Sequence, residues 1–166
     1  ILGAMGSFRD PAIARAGIEH LRSIRMGFER LGIVCEVDGD DLVVPSGQTL
    51  KIRDDFGGDV PKLEDQPWPA FPADLMSIAI VTATQCDGVI LMFEKMFESR
   101  MFFVDKLIAM GGRIVLCDPH RAIVAGPSRL KGAPMISPDI RAGMAMLLAA
   151  VCAKGVSTID NADQIE

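Results

Sequence analysis

The sequence predicts a protein of the α/β (α+β) class, built from a repeated unit of strand, helix, strand, helix, strand and strand. Two pairs of segments support this prediction. Residues 31–44 (LGIVCEVDGDDLVV) and 111–124 (GGRIVLCDPHRAIV) superpose without a gap, and each indicates a helix-ending glycine, a strand, a turn and a second strand. The apolar segments 72–86 and 138–153 match because each is followed by a short spacer with glycine and a strand that begins with valine. Since a single repeat cannot bury its own hydrophobic face, the incomplete units predict a partial domain.

The composition indicates a globular chain that binds neither nucleic acid nor a membrane. Of the 166 residues, 49% are hydrophobic and 23% are charged, which suffices for a substantial core. The formal net charge of -5 disfavours nucleic acid and anionic lipid as partners. The longest apolar run, residues 142–153, is shorter than the roughly 20 residues of a membrane span. Any anionic ligand must therefore be held by local groups.

Two further features bear on the cellular compartment. Residues 1–7 (ILGAMGS) do not have the pattern of a secretory signal and resemble an expression-vector scar. The cysteines share no CxxC spacing and lie in apolar stretches, which indicates buried reduced thiols rather than disulfides or zinc ligands. These cysteines are Cys35, Cys86, Cys117 and Cys152. A reducing cytoplasm is therefore the expected location.

The first predicted element is an amphipathic helix. Apolar residues recur near helical spacing over residues 12–30, and the Leu-Gly pair that follows supplies a stop. Residues 33–37 and 41–44 are short β-rich runs around an Asp-Gly-Asp turn, a composition that favours a tight hairpin. A further strand is predicted at 50–52, within a long connection of the kind that is usually functional or disordered.

The remainder of the chain alternates the same two kinds of element. The helix that starts at Pro72 has no polar face, which predicts burial on nearly all sides. Ser99 is the predicted N-cap of the next helix. The predicted helices are 72–86, 100–110 and 138–153. The predicted strands are 89–93, 114–117, 122–125 and 156–159.

Asp74 is the first candidate for chemistry. The segment from Gln66 to Met76 is a rigid aromatic loop that delivers this acid into the first turn of a very apolar helix. A carboxylate there commonly does no more than complement the helix dipole, a contribution of roughly 0.3–1 kcal/mol. A dipole-stabilised aspartate also stays ionised, so it could accept a proton from a hydroxyl group held against it. The residues alone leave both roles open.

Two other corners carry charged residues at a strand end or a helix start. Glu98 and Arg100 follow a predicted strand. Either they form a surface ion pair, or Arg100 offers a bidentate fork to a carboxylate or phosphate. Asp139 and Arg141 follow a serine that is either an ordinary helix cap or part of an anion site with free backbone N–H groups. Because matched units carry these corners, we expect Asp74, Arg100 and Arg141 to share one rim.

Neither histidine has a metal-ligand companion at a useful spacing, so His20 and His120 are predicted to face solvent. The sequence contains no Gly-rich phosphate loop, nucleophile elbow or paired cysteine motif. We therefore predict that the protein uses no metal and no cofactor.

Three segments resemble the UDP-N-acetylglucosamine enolpyruvyl transferases. They are PAFPAD (69–74), FEKMFESR (93–100) and SPDIRAGMAMLLAA (137–150), and the resemblance extends from about Glu19 to Glu166. It implies an inside-out α/β barrel, in which each of two domains contains three βαβαββ units around a pseudo-threefold axis. The implied activity transfers the enolpyruvyl group of phosphoenolpyruvate to the 3-hydroxyl of UDP-N-acetylglucosamine, a step of peptidoglycan precursor synthesis. These two molecules are the expected partners of the full-length protein.

The resemblance also implies roles for particular residues. Asp74 matches the family aspartate that contacts the sugar 3-hydroxyl and is the candidate catalytic base. The implied substrate-binding residues are Asp74, Met96, Glu98, Arg100, Asp139 and Arg141. The sequence departs from the family pattern with Trp68 for His, Ala73 for Thr, Ser99 for Asn and Ile140 for Leu.

The resemblance places several catalytic parts of the family outside this segment. They are a Lys-Asn pair, a flexible loop with a reactive Cys or Asp, and the basic residues that hold phosphoenolpyruvate. Residues 8–166 are then part of one domain, with repeat units near 8–52, 70–126 and 133–166. The isolated chain is expected to be inactive and to associate with itself through exposed cut surfaces. Two alternatives stay open, an enzyme of the 5-enolpyruvylshikimate-3-phosphate synthase type and a non-catalytic domain that keeps only the scaffold.

Overall fold

The fold is described for residues 10–98 and 100–165 in a computed structural model. The expected vector scar at 1–7 and the expected cap Ser99 lie outside these residues. Within them, no helix combines the length and the apolar composition that crossing a bilayer requires.

Helices and strands alternate along the described part of the chain. The α-helices are α1 (Arg22–Arg30), α2 (Met76–Ala83), α3 (Val104–Ala109) and α4 (Ile140–Cys152). The strands are β1 (Ala12–Ile13), β2 (Glu36–Asp38), β3 (Asp41–Val43), β4 (Lys62–Glu64), β5 (Gly88–Phe93), β6 (Ile114–Asp118), β7 (Arg121–Gly126), β8 (Pro134–Ile136) and β9 (Thr158–Asp160). Short 3-10 turns span 18–20, 56–58, 73–75 and 162–164.

The four-stranded sheet positions the candidate site. Its strand order is β4-β5-β7-β6, in which β4 runs parallel to β5 and the other neighbours are antiparallel. A separate antiparallel sheet has the order β1-β3-β2, and β8 pairs in parallel with β9. From β4 to β7 the chain follows the order strand, helix, strand, helix, strand, strand. The predicted α/β (α+β) class is therefore confirmed, while the division into three repeat units stays a prediction.

A glycine at a helix end leads into each of two hairpins. Gly32 follows α1 with φ 80° and Gly111 follows α3 with φ 100°, the left-handed backbone that glycine adopts without strain. At Gly32, a Cβ atom would also lie 2.6 Å from the backbone nitrogen of Lys51. The antiparallel pairs β2-β3 and β6-β7 follow these glycines. The first hairpin was predicted from the composition of its turn, and the second from its two strands and the match of residues 111–124 to 31–44.

The core forms where α2 lies against α4 and the four-stranded sheet. α2 is buried along nearly its whole length, as its apolar sequence predicts. Ile90 and Met92 of β5 and Val124 of β7 are fully buried in the same core. Burying an aliphatic side chain of this size contributes roughly 1.5–3 kcal/mol relative to leaving it exposed. The position of α2, and with it the start of that helix, is thus fixed by packing.

The first helix begins later than the sequence predicts. α1 starts at Arg22. The residues before it cannot continue the helix, because Ala12–Ile13 pairs with β3 and Gly17 adopts a left-handed φ of 61°. The predicted strand at 50–52 is reduced to an isolated bridge with Asp87.

The third helix also begins later than predicted. α3 starts at Val104 and not at Arg100. Met101 and Phe103 are both buried, and an α-helix would point residues two positions apart to different sides. The chain therefore passes through turns here before α3 begins.

The four cysteines are free thiols, but their burial differs. Cys86 is buried, Cys35 and Cys152 are half-buried, and Cys117 is exposed. The predicted burial of Cys117 is wrong because alternate residues of β6 face outward, and Cys117 shares the outward face with Val115.

Candidate functional site

Asp74 contacts two arginines from distant parts of the chain. Arg141 Nε donates a hydrogen bond to Asp74 Oδ1, and Arg100 Nη1 lies 3.3 Å from the same oxygen. The arginines lie 67 and 26 positions from Asp74 along the sequence, so tertiary folding brings the three together. These three side chains, which the sequence predicted on one rim, form a charged group that is called the Asp74 cluster below.

The packing of two helices sets the geometry of this cluster. Asp74 lies in the 3-10 turn that leads into α2, and Arg141 lies in the first turn of α4. The Ser77 hydroxyl on α2 donates a hydrogen bond of 3.1 Å to the carbonyl oxygen of Arg141. The starts of the two helices are thus held side by side, and Arg100 reaches them from the turns after β5.

Asp139 is the N-cap of α4. Its Oδ1 accepts hydrogen bonds from the backbone N–H groups of Arg141, at 2.8 Å, and Ala142, at 3.0 Å. Ser137, the expected cap, instead donates its hydroxyl to the carbonyl oxygen of Asp139. The expectation of free N–H groups at this helix start is therefore wrong for Arg141 and Ala142, because the aspartate side chain already accepts from them.

The Asp74 carboxylate is ionised at neutral pH and open to a ligand. The hydrogen bond from Arg141 holds the pKa of Asp74 below its ordinary value, against the opposing effect of partial burial, and Arg100 adds to the lowering. The Asp74 side chain is 63% exposed. Because an exposed ion pair contributes only about 0–1 kcal/mol to stability, a ligand could replace either arginine contact at small cost.

An aromatic ring orients Arg100. Its guanidinium carbon lies 3.6 Å from the centroid of the Phe97 ring, a contact in which the cation sits on the negative face of the ring. Met96 and Glu98, the other predicted ligand contacts, are exposed on either side of Phe97. The structure therefore places Met96 and Glu98 on the turn that leads to Arg100, next to the Asp74 cluster.

Two buried acids beneath this turn were missed by the sequence analysis. Asp65 is 0% exposed and Glu94 is 1% exposed, and each directly follows one strand of the parallel pair β4-β5. Asp65 accepts hydrogen bonds from the backbone N–H groups of Lys95, at 2.5 Å, and Met96, at 3.3 Å. The sequence signal was incomplete, because a strand was predicted directly before Glu94 but none was predicted before Asp65.

The Glu94 side chain carries a proton at neutral pH. Burial is the main reason that the pKa of Glu94 rises to about 8, because the charged form loses its hydration. A hydrogen bond to Asp65 and the charge of Asp65 act in the same direction, and Arg100 acts against them. The proton on Glu94 therefore relieves the repulsion between Glu94 and the neighbouring charge of Asp65.

His20 lies in the 3-10 turn before α1, Trp68 lies in the long loop before Asp74, and His120 lies in the β6-β7 turn. Trp68 is 66% exposed and meets His20 edge to face, with ring centroids 6.5 Å apart. His20 is exposed, as predicted. His120 is half-buried instead of solvent-facing, because its Nδ1 lies 2.9 Å from the carbonyl oxygen of Glu94.

Comparison with known sequences identifies a family and named relatives. Residues 10–166 match the family described as EPSP synthase (3-phosphoshikimate 1-carboxyvinyltransferase). The chain is 84% identical over 167 residues to the UDP-N-acetylglucosamine 1-carboxyvinyltransferase of Bradyrhizobium diazoefficiens, covering 100% of this chain and 39% of that protein. It is 60% identical over 154 residues to the protein of the same name from Borreliella burgdorferi, covering 93% of this chain and 36% of that protein. The chain thus spans well under half the length of these relatives.

Comparison with solved structures supports the fold. The enolpyruvyl transferase NikO from Streptomyces tendae superposes with a TM-score of 0.81 at 21% identity, over 98% of this chain and 37% of NikO. An EPSP synthase from Acinetobacter baumannii superposes with a TM-score of 0.59 at 13% identity, over 95% of this chain and 37% of that protein. At these identities, the likeness concerns the fold alone.

Proposed function

We propose, from the premise that this chain belongs to the EPSP synthase family, that it is a segment of an enolpyruvyl transferase acting on UDP-N-acetylglucosamine. The reaction would move the enolpyruvyl group of phosphoenolpyruvate to the sugar 3-hydroxyl, in the bacterial cytoplasm and for the synthesis of peptidoglycan precursors. The relatives at 84% and 60% identity bear the name of a UDP-N-acetylglucosamine 1-carboxyvinyltransferase, which supports this acceptor over a shikimate. The observation that carries the proposal is the ionised Asp74 between Arg100 and Arg141.

The chemistry of the Asp74 cluster fits this transfer. The reaction forms a bond from the sugar oxygen to the enolpyruvyl carbon, breaks the bond from that carbon to the phosphate oxygen, and releases inorganic phosphate. The hydroxyl proton must leave, and the ionised Asp74 carboxylate is a group that can accept it. Arg100 and Arg141 offer planar guanidinium groups that can hold a carboxylate or phosphate through two hydrogen bonds. Met96 and Glu98 would contact the sugar nucleotide from the adjoining turn.

Acceptor specificity is the first test of the proposal. Calorimetric titration of the full-length protein with UDP-N-acetylglucosamine should give saturable binding, whereas shikimate-3-phosphate should give none at the same concentrations. The physical reason is that a site built to pair with the groups of one acceptor leaves polar groups unpaired with the other. Binding of shikimate-3-phosphate alone would assign the protein to the EPSP synthase type. Absence of binding for both, with phosphoenolpyruvate present, would favour a domain that keeps only the scaffold.

The segment is proposed to provide one wall of the active site. Transition-state stabilisation needs its donors assembled together, and this chain covers 39% of the Bradyrhizobium relative. The remaining groups that hold phosphoenolpyruvate would come from the rest of the protein. We therefore propose that the segment alone does not turn over substrate.

An exposed apolar stripe on α4 supports the proposal that the rest of the protein covers this segment. The stripe consists of residues that recur at helical spacing and are 36–53% exposed, namely Ile140, Met144, Leu147 and Val151. Water-exposed apolar area of this kind favours association. A further helix of the full-length protein would bury the stripe, and in the isolated chain a second copy would do so.

Self-association of the isolated chain is therefore expected. Analytical ultracentrifugation should show a concentration-dependent dimer or larger species, and Leu147→Lys should shift it towards the monomer by placing a charge in the stripe. Val156→Lys is the matched control, because Val156 is 85% exposed and lies outside α4. A monomer at all concentrations, or equal effects of the two substitutions, would contradict this part of the proposal.

A further inference from the structure

The buried acids Asp65 and Glu94 lie directly under the turn that carries the predicted sugar contacts. The Asp65 carboxyl accepts hydrogen bonds from the backbone N–H groups of Lys95 and Met96, so it fixes the path of the chain where that turn begins. Glu94 is fixed from the other side, because its N–H donates to the His120 carbonyl oxygen at 2.8 Å. A buried carboxyl group that accepts two backbone hydrogen bonds is costly to disturb, so the pair holds this turn firmly.

The Glu94 side chain also extends towards the Asp74 cluster. It lines a cavity of about 20 Å³ together with Arg100, Asp139 and Arg141. Its Oε1 has no hydrogen-bond partner among the residues that the structure describes. An ionised Glu94 would therefore attract the Arg100 guanidinium. While Glu94 is protonated, that guanidinium contacts Asp74 instead. Ionisation would also place two negative charges side by side in a buried site.

We propose that a protonated Glu94, buried beside Asp65, positions residues 95–98 and the Arg100 guanidinium for the ligand of the Asp74 cluster. Glu94 acts through its neighbours and is a positioning residue. The inference rests on the proposed function for the identity of the ligand, but the protonation of Glu94 does not depend on it. Loss of the proton would weaken binding by drawing Arg100 away from Asp74.

The direction of the pH effect follows from the protonation of Glu94. With its pKa raised to about 8, Glu94 is protonated below that pH and ionised above it. Because the protein with a protonated Glu94 is the binding form in this proposal, affinity is constant at neutral pH and falls at alkaline pH, by about tenfold for each unit above the pKa. The charged and titratable groups around Glu94 are Asp65 after β4, Lys95 and Arg100 after β5, His120 in the β6-β7 turn, and Asp139 and Arg141 at the start of α4.

Calorimetry on the full-length enzyme tests this positioning role. The affinity for UDP-N-acetylglucosamine should fall about tenfold between pH 7 and pH 9 in the native protein. Glu94→Gln keeps a donor for Asp65 but cannot ionise, so it should retain the affinity at pH 7 and lose most of this alkaline decline. Glu94→Ala should weaken binding at both pH values, because Asp65 loses its partner. Equal declines in the native protein and in Glu94→Gln would overturn the proposal.

A second measurement examines the proton without relying on the ligand. Carbon-13 labelling of the glutamate side chains should reveal one carboxyl group that titrates near pH 8 and disappears in Glu94→Gln. Glu36→Gln is the matched control, because Glu36 is exposed on β2, and it should leave that signal unchanged. A Glu94 carboxyl signal that titrates with the ordinary pKa of a glutamate side chain would overturn the proposal, even if the enzyme binds its substrate. If no variant binds the nucleotide sugar, the proposed substrate is wrong, and this titration still decides whether Glu94 holds a proton at neutral pH.

Discussion

Replacing Asp74 by asparagine in the full-length enzyme is expected to lower kcat about 1,000-fold, within the range that removal of a general base produces. Asparagine has nearly the same shape but cannot accept the hydroxyl proton. The substitution also removes the ion pairs with Arg100 and Arg141, which are exposed and contribute little to stability. The free energy of unfolding should therefore change by less than about 1 kcal/mol. A large loss of rate without a loss of folding distinguishes a catalytic role from a helix-dipole role.

The rate is measured as inorganic phosphate released from phosphoenolpyruvate in the presence of UDP-N-acetylglucosamine. Asp118→Asn is the matched control, because Asp118 also pairs with an arginine, at 2.6 Å from Arg121 Nη2, and that arginine also lowers its pKa. Asp118 lies at the β6-β7 turn, and none of its hydrogen bonds or ion pairs within the described residues involves Asp74, Arg100 or Arg141, so this substitution should leave kcat within about twofold. If Asp74→Asn retains the native rate, or if both substitutions reduce it equally, Asp74 is not the proton acceptor.

The parts of the fold that depend on local chemistry were predictable from the sequence. The glycines after α1 and α3 and the turn residues of the two hairpins each act within a few residues, so their pattern predicts their structure. The starts of α1 and α3 were wrong because tertiary contacts decide them. Ala12–Ile13 pairs with β3, and Met101 and Phe103 are both drawn into the core. Neither effect is visible in local periodicity.

The candidate site divides in the same way. Asp74, Arg100 and Arg141 could be placed on one rim because each lies at a corner of a matched unit, and the structure brings them together. Asp65 and Glu94 could not be identified as a pair, because their proximity depends on the parallel pairing of β4 with β5, whose partners lie 29 positions apart in the sequence. Acidic residues are rarely buried, so the sequence alone favours exposed positions for both.

Replacing Gly126 by alanine is expected to lower the free energy of unfolding by about 3 kcal/mol or more, at the upper end of the cost of overpacking. Gly126 ends β7 opposite Gly88 of β5 and lies against the last turn of α2. A Cβ atom at this position would overlap the carbonyl oxygen of Cys86 and lie 2.6 Å from that of Ala83. Both are backbone atoms, so relief would require moving α2 away from the sheet, and no side-chain rotation could substitute for that movement.

Urea unfolding followed by circular dichroism measures this loss, with Gly39→Ala as the control. Gly39 has φ 61° in the β2-β3 turn, and a Cβ atom there would meet nothing within 4 Å. Gly39→Ala should therefore destabilise the fold only by the left-handed backbone strain of roughly 1–2 kcal/mol. Gly126→Ala should destabilise it more, because its Cβ atom overlaps backbone atoms in the core. A smaller loss at Gly126 than at Gly39 would mean that α2 can shift against the sheet. The position of Asp74 at the start of α2 would then not be set by packing, and the rim on which the proposed function depends would lose its physical basis.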